Sequence, residues 1–88
     1  MKYFVVHIST QTGEHEYGEQ LVSEARDATG AKRRARIDLL ETLGNPGKDT
    51  WEDDQLDLFD RIVTIEEIRE IPAADFAVLQ QYLPVVNA

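Results

Sequence analysis

From Lys2 to Ser9 the chain sets Tyr3, Phe4, Val5, Val6 and Ile8 within eight positions, the aromatic and β-branched enrichment of a strand covered on both sides. The polar stretch Gln11-Thr12-Gly13-Glu14 follows, with Gly13 able to take positive φ, and Glu16 to Glu24 reads as a second strand ending in Leu21-Val22. A β-hairpin therefore opens the fold. From Asp27 the period changes. Ala28, Ala31, Ala35, Leu39 and Leu43 recur every three or four residues and mark one narrow face of a helix. Asp27 is the expected N-cap, Gly44 the expected stop, and Asn45-Pro46-Gly47 a sealing turn. Three alanines on the first half of that face imply close approach of the helix to a sheet. Gly30 costs roughly 1 kcal/mol against alanine, so the helix start is expected to fray or to fall later.

Between Lys48 and Asp60 the apolar residues Trp51, Leu56, Leu58 and Phe59 are interleaved with acids in neither period, which reads as a loop leading into a short strand near Leu56 to Phe59. The next stretch, IVTIEEIREIP, places Val63 and Ile65 on one face and Ile62 and Ile68 on the other, a long strand with a bulge around Glu66 to Glu67. Pro72 ends it. Ala73 to Leu83 then forms a second helix with Phe76, Leu79 and Leu83 inward and Tyr82 at the margin, stopped by Pro84. The tail from Val85 to Ala88 is expected to be loosely held. The order ββαβ(β)α predicts an α+β domain: a three- to four-stranded antiparallel sheet with both helices packed on one face. The other sheet face would then be exposed, a candidate surface for a partner or a second copy.

Composition narrows the class. At 88 residues the chain supplies one core, so residues 1–88 read as a single domain. There is no cysteine, so neither disulfides nor a thiolate zinc site hold it together. The start MKYFVVHISTQ is too short an apolar run for a membrane span and lacks a cleavage signature, which makes the cytoplasm the expected location. Seventeen acidic against nine basic residues leave a net charge of −8, which repels nucleic acid and anionic membrane at long range. Neither is an expected direct ligand. A basic protein surface, such as that of a nucleic-acid-binding complex, is the better electrostatic match.

The chain carries no phosphate-binding glycine loop, no dinucleotide fingerprint, no zinc-protease helix and no nucleophile elbow, so binding is expected in place of catalysis, with no cofactor. His7 and His15 lie on the two arms of the hairpin with Glu14 or Glu16 nearby, but two histidines fall short of a metal site, and strand residues of no chemistry are the plainer reading. The segment DTWEDDQLDLFD concentrates Asp49, Glu52, Asp53, Asp54, Asp57 and Asp60 without a cation between them. It fails the calcium-loop pattern, since Trp51 falls at position 3 and Asp54 where glycine is needed. Two readings compete. In one, the carboxylates copy the charge series of a phosphate backbone and engage arginines and lysines of a partner, with Trp51 or Phe59 as anchor. In the other, this is a solvated loop and Trp51 fills the core. Lys32, Arg33, Arg34 and Arg36 form the basic cluster of the helix, where pairing with nearby acids is expected ahead of phosphate contact. Ile37, on the far side of that helix, is either a contact residue or covered by a loop.

The run EQLVSEARDATGAKRRARIDLLETLG, a strand flowing into an alanine-faced helix that ends at glycine, resembles the strand-to-helix segment of small phage and plasmid proteins, some anti-CRISPR proteins among them. The resemblance covers about a third of the chain. It implies a non-enzymatic inhibitor that binds and blocks a nucleic-acid-handling complex, and it carries no motif that assigns residues one by one. The alternative is a structural or homodimeric protein whose exposed sheet face pairs with a second copy.

Overall fold

The structure is a computed structural model and describes residues 1–42, 51–58 and 61–86. The described strands are β1 (Lys2–Thr12), β2 (His15–Ala25), β3 (Trp51–Glu52), β4 (Gln55–Leu58) and β5 (Arg61–Ile71); the helices are α1 (Ala28–Thr42) and α2 (Ala73–Leu79). All five strands join one antiparallel sheet in the order β2-β1-β5-β4-β3. The fold is thus α+β, with five strands where three or four were expected. The extra strand comes from the acidic segment. Trp51 pairs with Leu56 and Glu52 with Gln55, so what reads as a loop is a tight hairpin, and Asp53 takes φ 56° at its tip, a conformation aspartate tolerates better than most residues. The expected short strand is present at Gln55–Leu58. The opening hairpin is regular from Lys2↔Ala25 to Thr12↔His15, and Gly13 supplies the positive φ, 61°, that its turn needs.

The expected bulge lies at Glu66. His7 pairs with Glu67 while Ile8 pairs with Ile65, which leaves Glu66 as the additional residue. The bulge alters the facing of the strand beyond it. Ile68 comes to the same side as Val63 and Ile65, packed against the core under α1, and does not share a face with Ile62 as simple alternation suggests.

Helix α1 covers one face of the sheet. Phe4, Val6 and Ile8 of β1, Leu21 and Ala25 of β2, Leu56 of β4 and Val63 and Ile65 of β5 are buried beneath it, together with Ala31, Ala35 and Leu39 from the helix. Ala31 and Ala35 are fully enclosed, as the close approach implied by their size requires. Ala28, by contrast, is exposed, so the inner face begins one turn later than the spacing suggests. The helix does start at Ala28 without a delay: the Gly30 amide donates to the Asp27 carboxylate at 2.8 Å, the N-cap bond that offsets the cost of glycine. Leu43, Gly44 and Asn45-Pro46-Gly47 lie outside the described residues.

Helix α2 packs on the opposite face, a correction to the arrangement with both helices on one side. Alternation along β1 sends Phe4, Val6 and Ile8 to α1 and Tyr3 and Val5 the other way, where they meet Phe76 with Val22, Ile71, Leu79 and Leu83. The Tyr3 and Phe76 ring centroids are 4.6 Å apart. The chain leaves β5 at Ile71, whose register partner is Tyr3, so it exits already on the second face. The helix is also shorter than the Ala73 to Leu83 expected. After Leu79 the regular ladder gives way to mixed spacing, three residues for Gln81 N to Val78 O at 3.2 Å and Tyr82 N to Leu79 O at 3.0 Å, then four for Leu83 N to Leu79 O at 2.9 Å. Tyr82 is exposed while Leu83 stays half-buried. Nor is the described part of the tail, Val85 and Val86, loose; Asn87 and Ala88 lie outside the described residues. Val22 N donates to Pro84 O at 3.0 Å and Val86 N to Val22 O at 2.9 Å, a parallel bridge between Val85 and Val22 that buries Val86 beside the α1-side core. No helix of the described residues is long and apolar enough to cross a membrane.

Candidate functional site

The described carboxylates of the acidic segment separate into two settings. At the tip of the β3–β4 hairpin, Asp54 is held by α1: Lys32 Nζ lies 2.9 Å and Arg36 Nη2 3.3 Å from its Oδ1. Arg36 also donates to the Asp53 carbonyl, and its guanidinium sits 5.7 Å from the centre of the Trp51 ring, within cation–π range. The hydrogen bond from Lys32, ahead of the charges of Lys32 and Arg36, holds the Asp54 carboxyl below its ordinary value of 3.8 against the opposing effect of partial burial. Two of the four cations of the basic cluster therefore pair internally, as expected; Arg33 and Arg34 are exposed. Trp51 is half-buried and packs against the α1-side core. Ile37 remains 38% exposed.

Glu52 and Asp57 lie elsewhere. Register places them on the face opposite α1, because their strand neighbours Trp51 and Leu56 point inward. Helix α2 covers only the end of that face formed by Tyr3, Val5, Val22 and Ile71. Beyond it the sheet is open among the described residues. One rung runs Glu16, Gln11, Ile62, Asp57; the next runs Gly18, Ser9, Thr64, Gln55 with Glu52 beyond; the third runs Gln20, His7, Glu67. The carboxylates Glu16, Glu52, Asp57 and Glu67 are all exposed. Among the described strand residues on this face the one lysine or arginine is Arg69, which lies 3.4 Å from Glu67. Side-chain bonds order the surface: Ser9 Oγ donates to Glu16 at 3.2 Å, and Gln20 Nε2 and His7 Nδ1 are 3.2 Å apart.

Of the residues singled out from the sequence, then, Glu52 and Asp57 share the open face, Asp53 and Asp54 form the hairpin tip, and Trp51 is core-packed. Asp49, Phe59 and Asp60 lie outside the described residues. His7 and His15 occupy different rungs and opposite faces of the opening hairpin, opposite Gln20 and Thr12 respectively. No three His, Asp or Glu side chains among the described residues gather as a metal site. Sequence reading met Glu16 only as a neighbour of the histidines and Glu67 only as part of the bulge, and missed that they share a face with the polar row between them. Their signal was present in the alternation Glu16, Gly18, Gln20 along β2, but it becomes a surface only once β5 is known to lie beside β1. The chain matches no protein-family model, no curated protein and no solved structure.

Proposed function

We propose that this chain is a small acidic, non-catalytic binding protein that inhibits or modulates a nucleic-acid-binding complex by occupying one of its basic surfaces. One observation supports this reading above the others: half of a sheet face carries Glu16, Glu52, Asp57 and Glu67 with Arg69 as its sole described cation, uncovered by α2. A face kept for solubility alone calls for charges of both signs interspersed, not for charge this one-sided. Complementary potential is what brings a cationic partner to it and sets the rate of encounter. The contact surface is accordingly the strand face reached by Glu52 and Asp57, and Asp54 contributes to it little, since its charge is matched by Lys32 and Arg36.

The test is competition. The chain, immobilised and exposed to host extract, is expected to retain a nucleic-acid-binding assembly that added DNA or RNA displaces. Retention of assemblies that nucleic acid leaves in place would count against the reading, as would retention unaffected by raised salt, because exposed charges more than about 10 Å apart are screened near 0.1 M ionic strength.

A further inference from the structure

The outer edge of β2 is half occupied. Val22 gives its amide and carbonyl to the tail at Pro84 and Val86, so on this strand the backbone groups of Val22 point away from β1. In an antiparallel ladder that orientation repeats at every second residue. Gln20, Gly18 and Glu16 therefore also turn their amides and carbonyls outward, and among the described residues no strand pairs with them. Long unpaired edges are usually blunted by charged side chains, lysine above all, by proline or by a bulge; β2 has no lysine, proline or bulge across its eleven residues, HEYGEQLVSEA, and its register with β1 is unbroken. Its only charges are carboxylates. Gly18 sits at the middle of this edge. A Cβ there would meet just the Ile8 carbonyl at 3.6 Å, an ordinary contact, and no positive φ is involved, so nothing inside the chain requires glycine. Glycine in a strand interior commonly marks the close approach of another backbone. The edge also borders a concavity formed by His7, Ser9, Gln20, Glu67 and Leu83, with Tyr17 exposed on its other side.

We infer that the β2 edge from Glu16 to Gln20 takes up an extended, lysine- or arginine-bearing segment of a partner protein as an added sixth strand, meeting the tail at Pro84. The backbone bonds supply affinity, and Glu16 and Glu19 select cationic side chains on the two faces of the added strand. A second copy of this chain is the weaker occupant, because edge-to-edge pairing would set the carboxylates of two cation-free strands against each other. The inference rests on the reading of the chain as a binder of cationic protein surfaces, and it adds the mode of attachment.

The probe is a short capped peptide of alternating lysine and valine, with two versions N-methylated at the lysines or at the valines. An added strand turns alternate amides toward β2, so one methylated version is expected to bind at least ~10-fold more weakly than the parent while the other stays close to it. The amide resonances of Glu16, Gly18 and Gln20 are expected to shift. Gly18→Pro removes an outward amide without touching the β1 ladder and is expected to weaken the parent peptide to a similar extent, with its own fold verified by its unchanged amide spectrum elsewhere. Equal affinity of all three peptides overturns the inference, as does binding that leaves those three amides unmoved, or no binding. Dimerisation of the chain abolished by Gly18→Pro would assign the edge to self-pairing and overturn it equally. Because the probe is synthetic, its failure leaves competition for the host complex untouched, and the converse also holds.

Discussion

Single residues here do two jobs that their identities announce. Asp27 precedes the first alanine-faced turn, and its carboxylate accepts from the Gly30 amide at 2.8 Å. Asp27→Ala is expected to lower stability by about 1 kcal/mol and Asp27→Asn by much less, read as the shift in denaturant midpoint. Gly30 is buried, and a Cβ there would lie 3.3 Å from the Asp27 carboxylate oxygen that caps the helix, which explains why a costly residue stands inside a helix: the cap leaves little room beside it. Asp54 is the second case. Its carboxyl titrates below the ordinary 3.8, first because Lys32 hydrogen-bonds it. A depressed folded-state value means that the stabilisation is complete above the unfolded-state value and fades as pH falls through the lower one. The stability difference between the wild type and Asp54→Asn is therefore expected to be constant near neutrality and to shrink below about pH 4, measured as denaturant midpoints across an acid series. A constant difference down to pH 2 would remove the ion pair from the account.

Elements were legible where one period persisted. The opening hairpin, the alanine-faced helix and the bulged last strand follow from local pattern, since each carries enough repeats for the periodicity to stand out. The β3–β4 hairpin did not, because strands of two and four residues hold too few alternations to register, and the acids that suggest a loop are tolerated at a hairpin tip. The side on which α2 packs was not legible either. It depends on which face the chain occupies when it leaves β5, and the single extra residue at Glu66 resets that face. The second layer is consequently thin: α2 is seven residues long, and Phe76 is its buried side chain. Phe76→Ala is expected to cost about 3 kcal/mol and to raise hydrogen exchange in α2 and the Val85 bridge ahead of β1 and β5. Uniform acceleration across the sheet would show that the two faces unfold as one unit.

At the scale of the molecule, acidity was plain from composition, while its location was not. The concentration between Asp49 and Asp60 points to one acidic loop, yet folding divides its described part between an internal ion pair at Asp54 and the open strand face at Glu52 and Asp57. It also adds Glu16 and Glu67, which are far away in sequence. Surfaces of this kind are assembled by long-range strand pairing, and no local window contains them. We propose that this face, and not the hairpin tip, meets a cationic partner. Affinity for the captured nucleic-acid-binding complex, compared between the charge-reversed face Glu16→Lys/Asp57→Lys/Glu67→Lys and the charge-reversed tip residue Asp53→Lys, tests it most directly. The face variant is expected to lose at least ~10-fold in affinity, about 1.4 kcal/mol, while the tip variant stays near wild type. Undiminished affinity of the face variant, with its fold intact, would contradict the claim.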